Sequence, residues 1–268
     1  METNKTFSWY PGHMAKALRE IKELINKVDV IYLILDSRAP ISSLNPVILD
    51  VIKDKPVLYL YNKSTLADLT SLKKIIKEEN YLIIDALQKK NIRNIPKKTN
   101  EMLADLLEKK RNQGFLNYPI KAMILGIPNV GKSTLVNALA NRKSASTDYK
   151  PGHTRKLSWI KISGNINLLD TPGLLWPKIE DVHTKYHLSL TGSIKEELLN
   201  KEELFNYGYN YLMKHYPNYL EFYKVPYETK EVFINSLMEY RGISKEEVYI
   251  LFLNDVRDGL FGGICFDL

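Results

Sequence analysis

The stretch Met123–Ala140, "MILGIPNVGKSTLVNALA", constrains the fold more than any other part of the chain. An apolar run leads into Gly126–Ser133, "GIPNVGKS", which fits the spacing GxxxxGK[ST], and a helical pattern follows. Strand, glycine-bearing loop and helix in that order build a phosphate cradle. The glycines let backbone N–H groups close around phosphate oxygens, and the helix starting near Lys132 turns its positive end toward them. A strand and helix joined this way belong to an α/β layer structure with a mostly parallel sheet.

The flanking sequence supplies the rest of such a layer. "VIYLILD", "PVLYLYN" and "YLIID" read as strands, alternating with the helical patterns "MAKALREIKELINK" and "SLKKIIKEEN". "KKTNEMLADLLEKKRN" reads as one helix, and "QGFLNY" as a connector closed by Pro119. After the phosphate loop come the strands "KLSWIKI" and "INLLD". Beyond Pro177 only helical patterns recur, in "EELFNYGYNYLMKHY", "KEVFINSLMEY" and "SKEEVYILFLNDVRDG". The expected organisation is a nucleotide domain over 1–177 and a small all-α domain over 178–268.

No apolar run approaches the length of a membrane span, and the N-terminal "METNKTFSWYPGHMAK" has no apolar secretory core, so a cytoplasmic protein is expected. The single cysteine, Cys265, cannot form an internal disulfide, and no CxxC pair suggests zinc. A net charge of +7 favours an anionic partner, RNA first among them; a Lys-rich surface that serves only solubility is the simpler account.

The chemistry concentrates around the phosphate loop. Lys132 can neutralise the outer phosphates, and the Ser133 hydroxyl can ligate magnesium. Downstream, "LLDTPG" ends a strand at Asp170, from which a carboxylate reaches the same metal, while Gly173 can offer its N–H to the terminal phosphate. Between them, in "PGHTRKLSW", Thr154 is the natural switch threonine for that metal. Together these elements point to GTP hydrolysis rather than to a kinase, and the strand-end pair Asn62–Lys63 ranks an ATP-using enzyme last.

The element order is inverted. "NKST" (Asn62, Lys63, Ser64, Thr65) and "DAL", with Asp85 and Ala86, look like base-reading loops, yet they precede the phosphate loop. With "WYPGHMAKA", "DSRAPISSLNP", "PGHTR", "DTPGLLWP" and "VRDGLFGG", the chain resembles the circularly permuted GTPases, specifically the ribosome biogenesis GTPase A (YlqF) family. The resemblance implies GTP/GDP and Mg2+ as cofactors, and a monomer that acts on the large ribosomal subunit and its RNA late in assembly. It implies nucleotide contacts at Asn62, Lys63, Ser64, Thr65, Asp85, Ala86, Asn129, Val130, Gly131, Lys132, Ser133, Thr134 and Gly173. The metal set is Ser133, Thr154 and Asp170. Asn129 either adds a K+ site beside the phosphates or only shapes the loop.

Two departures stand out. The family pattern is Asn-Lys-x-Asp, whose carboxylate accepts from guanine N1–H and the exocyclic amine; Thr65 has one hydroxyl and no charge. Guanine affinity is therefore expected to be weaker, and Thr65→Asp to restore it. Asp68 lies three positions on, but its place in the following loop or helix tells against it. Asp85 stands where the family more often has Ser, a solvent-facing Asp being the simpler reading. Second, Leu174 and Leu175 stand where an ordinary GTPase has glutamine, so His13, ahead of the first helix, is the candidate for positioning water. The competing expectation is a nucleotide-gated RNA-binding module with weakened guanine specificity and little turnover.

Overall fold

A computed structural model describes residues 7–8, 12–140, 158–194 and 199–268, with the side chains of residues 7, 8, 13 and 158 left out. Six strands form one sheet: β2 (Val30–Asp36), β3 (Val57–Asn62), β4 (Tyr81–Ile83), β5 (Ile120–Leu125), β6 (Ser158–Ile162) and β7 (Ile166–Asp170). Their spatial order is β4-β3-β2-β5-β7-β6, and every pairing is parallel except β6 with β7. All seven residues of β2 are buried, which is why "VIYLILD" has no polar alternation: helices cover both faces of a central parallel strand. Counted from β5 as first, the spatial order becomes 6-5-4-1-3-2. The permutation thus moves the chain ends and leaves the sheet intact.

A two-stranded pairing marks the cut. β1 (Phe7–Ser8) lies antiparallel to β8 (Lys178–Ile179), with Phe7 opposite Ile179 and Ser8 opposite Lys178. The segment leading into α1 (Gly12–Leu24) is thereby tied to the chain just past the "DTPG" turn. Met14, Ala17 and Ile21 then anchor α1 in the sheet's core at helical spacing.

The helices flanking the sheet are α2 (Pro46–Ile52), α3 (Leu69–Ile75), α4 (Asn94–Met102), α5 (Ala104–Asn112) and α6 (Lys132–Ala140). The single helix expected from "KKTNEMLADLLEKKRN" is two, α4 and α5, broken at Leu103. Leu103 is buried in the core, whereas α5 has no buried residue. The break therefore anchors the chain by one leucine and lets α5 run along the surface.

The remaining helices are α7 (Val182–Leu190), α8 (Lys201–His215), α9 (Lys230–Arg241) and α10 (Lys245–Asp258). Phe205, Phe233 and Phe252 centre their own apolar core, with the Phe205 and Phe252 rings edge-to-face at 5.0 Å. The aromatic stripe of α8 is largely core: Phe205, Tyr209 and Tyr211 are buried. Packing changes hands within α7, since Leu188 joins the sheet's core and Leu190 the helical one. A full capping box, Ser244 with Glu247, starts α10, and Gly259 in the left-handed region (φ 70°) ends it.

The last residues return to the sheet. Ile264 bridges Ala67 in parallel, accepting from the Asp68 N–H at 3.2 Å and donating to the Leu66 carbonyl at 3.1 Å. The Phe266 N–H donates to the Arg38 carbonyl at 2.6 Å, and Cys265 between them is fully buried.

Candidate functional site

Because β2, β3, β4, β5 and β7 run parallel, their carboxyl ends share one edge, where ligands of open α/β sheets bind. The loop after β5 is drawn tightly against the loop after β3. Asn62 Nδ2 donates to the Val130 carbonyl at 2.7 Å, and a Cβ on Gly131 (φ 98°) would collide with that same amide. Only glycine lets the two loops approach so closely.

Lys132 opens α6 and is 7 % exposed. Its ammonium donates to the carbonyls of Gly126 at 3.1 Å and Ile127 at 2.7 Å, folding back on its own loop. Burial pushes its pKa down to about 8, against the pull of the Asp170 carboxylate. Gly173 packs on this loop so closely that a Cβ would sit 2.8 Å from Pro128 Cα and 3.0 Å from Lys132 Nζ. The Leu174 N–H donates to the Gly126 carbonyl at 3.2 Å, and Asn45, the N-cap of α2, donates to the Leu174 carbonyl at 2.8 Å. Leu174 and Leu175 are buried apolar side chains.

Asp170 ends β7, and its Oδ1 is buried without a hydrogen-bond partner among the described residues. Burial raises its pKa; the Lys132 charge and the Thr171 N–H oppose that. An orphaned buried carboxylate oxygen beside a phosphate loop fits a cation, and Ser133, half-buried in the first turn of α6, is the second donor at hand. Thr134 lies beside it, also half-buried. Thr154 lies outside the described residues. His13 stands in the first turn of α1, its side chain outside the description.

Asn129 adopts the left-handed region (φ 59°) at the exposed tip of the phosphate loop, and its Nδ2 donates to the Gly192 carbonyl, past the end of α7, at 2.7 Å. This contact is absent from the sequence reading, which weighed only a cation or a loop-shaping role.

In the base-reading loops most of the expected contacts hold the loops to one another. Asn62 Oδ1 accepts from the Ala86 N–H at 2.8 Å, so its amide joins three loops. Ser64 is buried, its N–H donating to the Ile84 carbonyl at 3.1 Å. Lys63, itself left-handed (φ 62°), donates to Asp36 at 2.8 Å. Asp36 is fully buried and also receives Arg38 through Nε at 3.0 Å and Nη2 at 2.9 Å. Burial alone would raise the Asp36 pKa, but the Arg38 and Lys63 charges overcome it and hold the carboxyl well below the usual range. Arg38 continues to the carbonyls of Arg257 at 2.9 Å and Thr191 at 3.0 Å, linking the base-reading side to α10 and the end of α7. Arg38 and Asp36 belong to "DSRAP", a matching motif to which the sequence alone assigned no chemistry.

The expectation of a solvent-facing Asp85 is corrected: Asp85 is 3 % exposed. Its Oδ2 accepts from Thr65 Oγ1 at 2.6 Å and from the Thr65 N–H at 3.3 Å, and its Oδ1 from the Gln88 N–H at 2.9 Å. Asp68, the other candidate, caps α3 through Thr70 and Ser71 and accepts from the Tyr216 hydroxyl at 3.3 Å.

Residues 121–204 match the profile of the 50S ribosome-binding GTPase family. Ribosome biogenesis GTPase A of Priestia megaterium is 37 % identical over 279 residues, covering 98 % of this chain and 96 % of its own. That of Bacillus licheniformis is 36 % identical, with 97 % of each chain covered. Among solved structures, GNP-bound YlqF from T. maritima superposes with a TM-score of 0.66 at 21 % identity, over 94 % of this chain and 97 % of its own. With relatives alike over nearly their whole length, and a phosphate loop that follows its base-reading loops in the chain, the protein belongs to the ribosome biogenesis GTPase A family of circularly permuted GTPases.

Proposed function

We propose that this protein hydrolyses GTP as an assembly factor of the large ribosomal subunit, docking on ribosomal RNA in its GTP-bound state. The observation that carries the reading is the buried pair Lys132 and Asp170 at the ends of a phosphate loop and a neighbouring strand, with a buried Asp170 oxygen that has no hydrogen-bond partner among the described residues. The names of its relatives supply the ribosome, and a net charge of +7 suits an RNA partner.

In this reading Lys132 leaves the Gly126 and Ile127 carbonyls for the outer phosphates of GTP, exchanging neutral partners for charged ones. Ser133 and Asp170, with Thr154, would hold Mg2+, which would supply positive charge to offset the negative charge of the phosphates. The Gly173 N–H donates to the γ-phosphate. Asn129 would hold K+, which would supply the charge an arginine finger gives elsewhere. His13 orients the attacking water, so basal turnover is slow and the subunit stimulates it. The compartment in this reading is the cytoplasm.

Leu174 and Leu175, apolar and buried, favour one second reading: a nucleotide-gated RNA-binding module with little turnover. Calorimetric titration with GTP, GDP and ATP, with turnover measured with and without large subunits, separates the two. Guanine-selective binding with subunit-stimulated turnover is expected. Binding without turnover in either condition selects the module, and loss of all nucleotide binding overturns both.

A further inference from the structure

Three carboxylates follow or end the base-side strands, and two of them are engaged elsewhere. Asp36 is fully buried between Arg38 and Lys63. Asp68 is the N-cap of α3 and accepts from both Ser71 Oγ and the Tyr216 hydroxyl. Asp85 has a different set of partners: one hydroxyl and two amide N–H groups, drawn from the loops that enclose the base position.

From this we infer that Asp85 is the residue by which the protein reads guanine, the carboxylate having changed places with the hydroxyl that accompanies it. The pair is kept; its ends are exchanged. In the family pattern the fourth residue of the "NKST" loop is the acid, and the residue at position 85 is more often the hydroxyl of Ser. Here Thr65 is the hydroxyl and Asp85 the acid, and the two are hydrogen-bonded at 2.6 Å.

The surroundings suit the role. A carboxylate offers about four acceptor positions, and the three contacts to Asp85 among the described residues leave one on Oδ1. Thr65 is exposed while Asp85 is buried beneath it, so rotation of one hydroxyl releases a second acceptor on Oδ2. Two acceptors on one planar group match the two donors of guanine, N1–H and the exocyclic amine. The Gln88 N–H at 2.9 Å and the Asp85–Lys90 backbone bridge hold the acid in place before the base arrives. The Asn62 amide fixes the loop containing Ala86 against the phosphate loop, so the acid's distance from the phosphates is set by the same contacts.

The inference rests on the GTPase reading above, and the test separates the two. GDP, IDP and XDP are titrated into the full-length protein, Asp85→Asn, Asp85→Thr, and the exchange variant Thr65→Asp/Asp85→Thr, with circular dichroism confirming folding. Inosine lacks the exocyclic amine, and xanthine presents a carbonyl in its place. The parent should prefer GDP over IDP by about tenfold or more. Asp85→Asn places an amide donor at the base, so GDP should weaken about tenfold to a hundredfold while XDP gains relative to it. Asp85→Thr should lose GDP, and the exchange variant, which keeps the hydroxyl–carboxylate bond, should regain it. A GDP/XDP ratio unchanged in Asp85→Asn, or equal GDP affinity in Asp85→Thr and the exchange variant, overturns the inference while leaving the GTPase reading intact. If the parent itself binds no guanine nucleotide, both fall.

Discussion

Asn129, at the tip of the phosphate loop, is hydrogen-bonded through its side-chain amide to the carbonyl of Gly192, 2.7 Å away and just past the end of α7. The loop that meets the phosphates is thus latched directly to the start of the helical region. The permutation runs the chain from "DTPG" into α7 with only the two-residue β8 between them.

Asn129→Ala removes that latch and the proposed K+ ligand together. Turnover of the parent should be higher in K+ than in Na+, and the variant should show no difference between the two. Hydrogen exchange at Gly192–Ile194 should become faster in the variant and lose its dependence on GTP. Equal turnover in both salts for the parent assigns Asn129 to the latch alone.

Lys132→Ala deletes the cation proposed to meet the outer phosphates. Each charge-assisted bond lost is worth roughly 1.5–3 kcal/mol, so GTP affinity measured by calorimetry should fall by about a hundredfold or more. Lys132 is buried, but its partners Gly126 and Ile127 are backbone carbonyls of its own loop, so the fold should survive.

Thr65→Asp is the substitution for which the structure reverses the expectation from sequence. With Thr65 Oγ1 donating to Asp85 at 2.6 Å, an acid at position 65 replaces a donor with a second negative charge in contact. GTP and GDP should bind no more tightly than to the parent, and the melting temperature should fall. A tenfold gain in guanine affinity would count against Asp85 as the acid that reads the base.

His13→Ala should leave GTP affinity nearly unchanged and lower subunit-stimulated turnover by roughly tenfold to a thousandfold, the range for losing a water-positioning group. The pairing of β1 with β8 brings Phe7 and Ser8 beside Ile179 and Lys178 in the chain that follows Gly173. Stimulated turnover that survives the substitution rules His13 out.

Arg38→Met removes one of the two cations bonded to buried Asp36 among the described residues, together with the bonds to the Arg257 and Thr191 carbonyls. Removing one member of a buried ion cluster typically costs about 3–5 kcal/mol, a loss readable by urea unfolding. Asp36 has a depressed folded-state pKa, so its contribution is present above the ordinary carboxylate range and is lost as pH falls through the folded value. The parent should therefore lose stability on acidification over that range, and Arg38→Met should show a weaker dependence there.

The parts of this protein that rest on local pattern were legible from sequence. "GIPNVGKS" needed only its spacing, and "VIYLILD" only its unbroken apolarity, to be placed as loop and central strand. The break at Leu103 was not, because helical periodicity runs straight through it and only the buried leucine marks the turn. Nor was the burial of Asp85: an acid in a polar loop reads as exposed until a hydroxyl twenty residues away is found bonded to it. The Asn129–Gly192 contact spans sixty-three positions and joins a side chain to a carbonyl, and carbonyls leave no trace in a sequence.

The return of the C-terminal segment to the base-reading loop has a practical side. Cys265, the chain's sole thiol, lies between Ile264 and Phe266, whose backbone groups bond to Leu66, Asp68 and Arg38. Burial pushes its pKa up to about 12, so in the closed state it is both covered and protonated. A thiol reagent can reach it only when that segment peels away. The rate of labelling of the unmodified protein therefore serves as a clock for how often the base-reading side opens, and its slowing under added GDP would time that opening without any engineered probe.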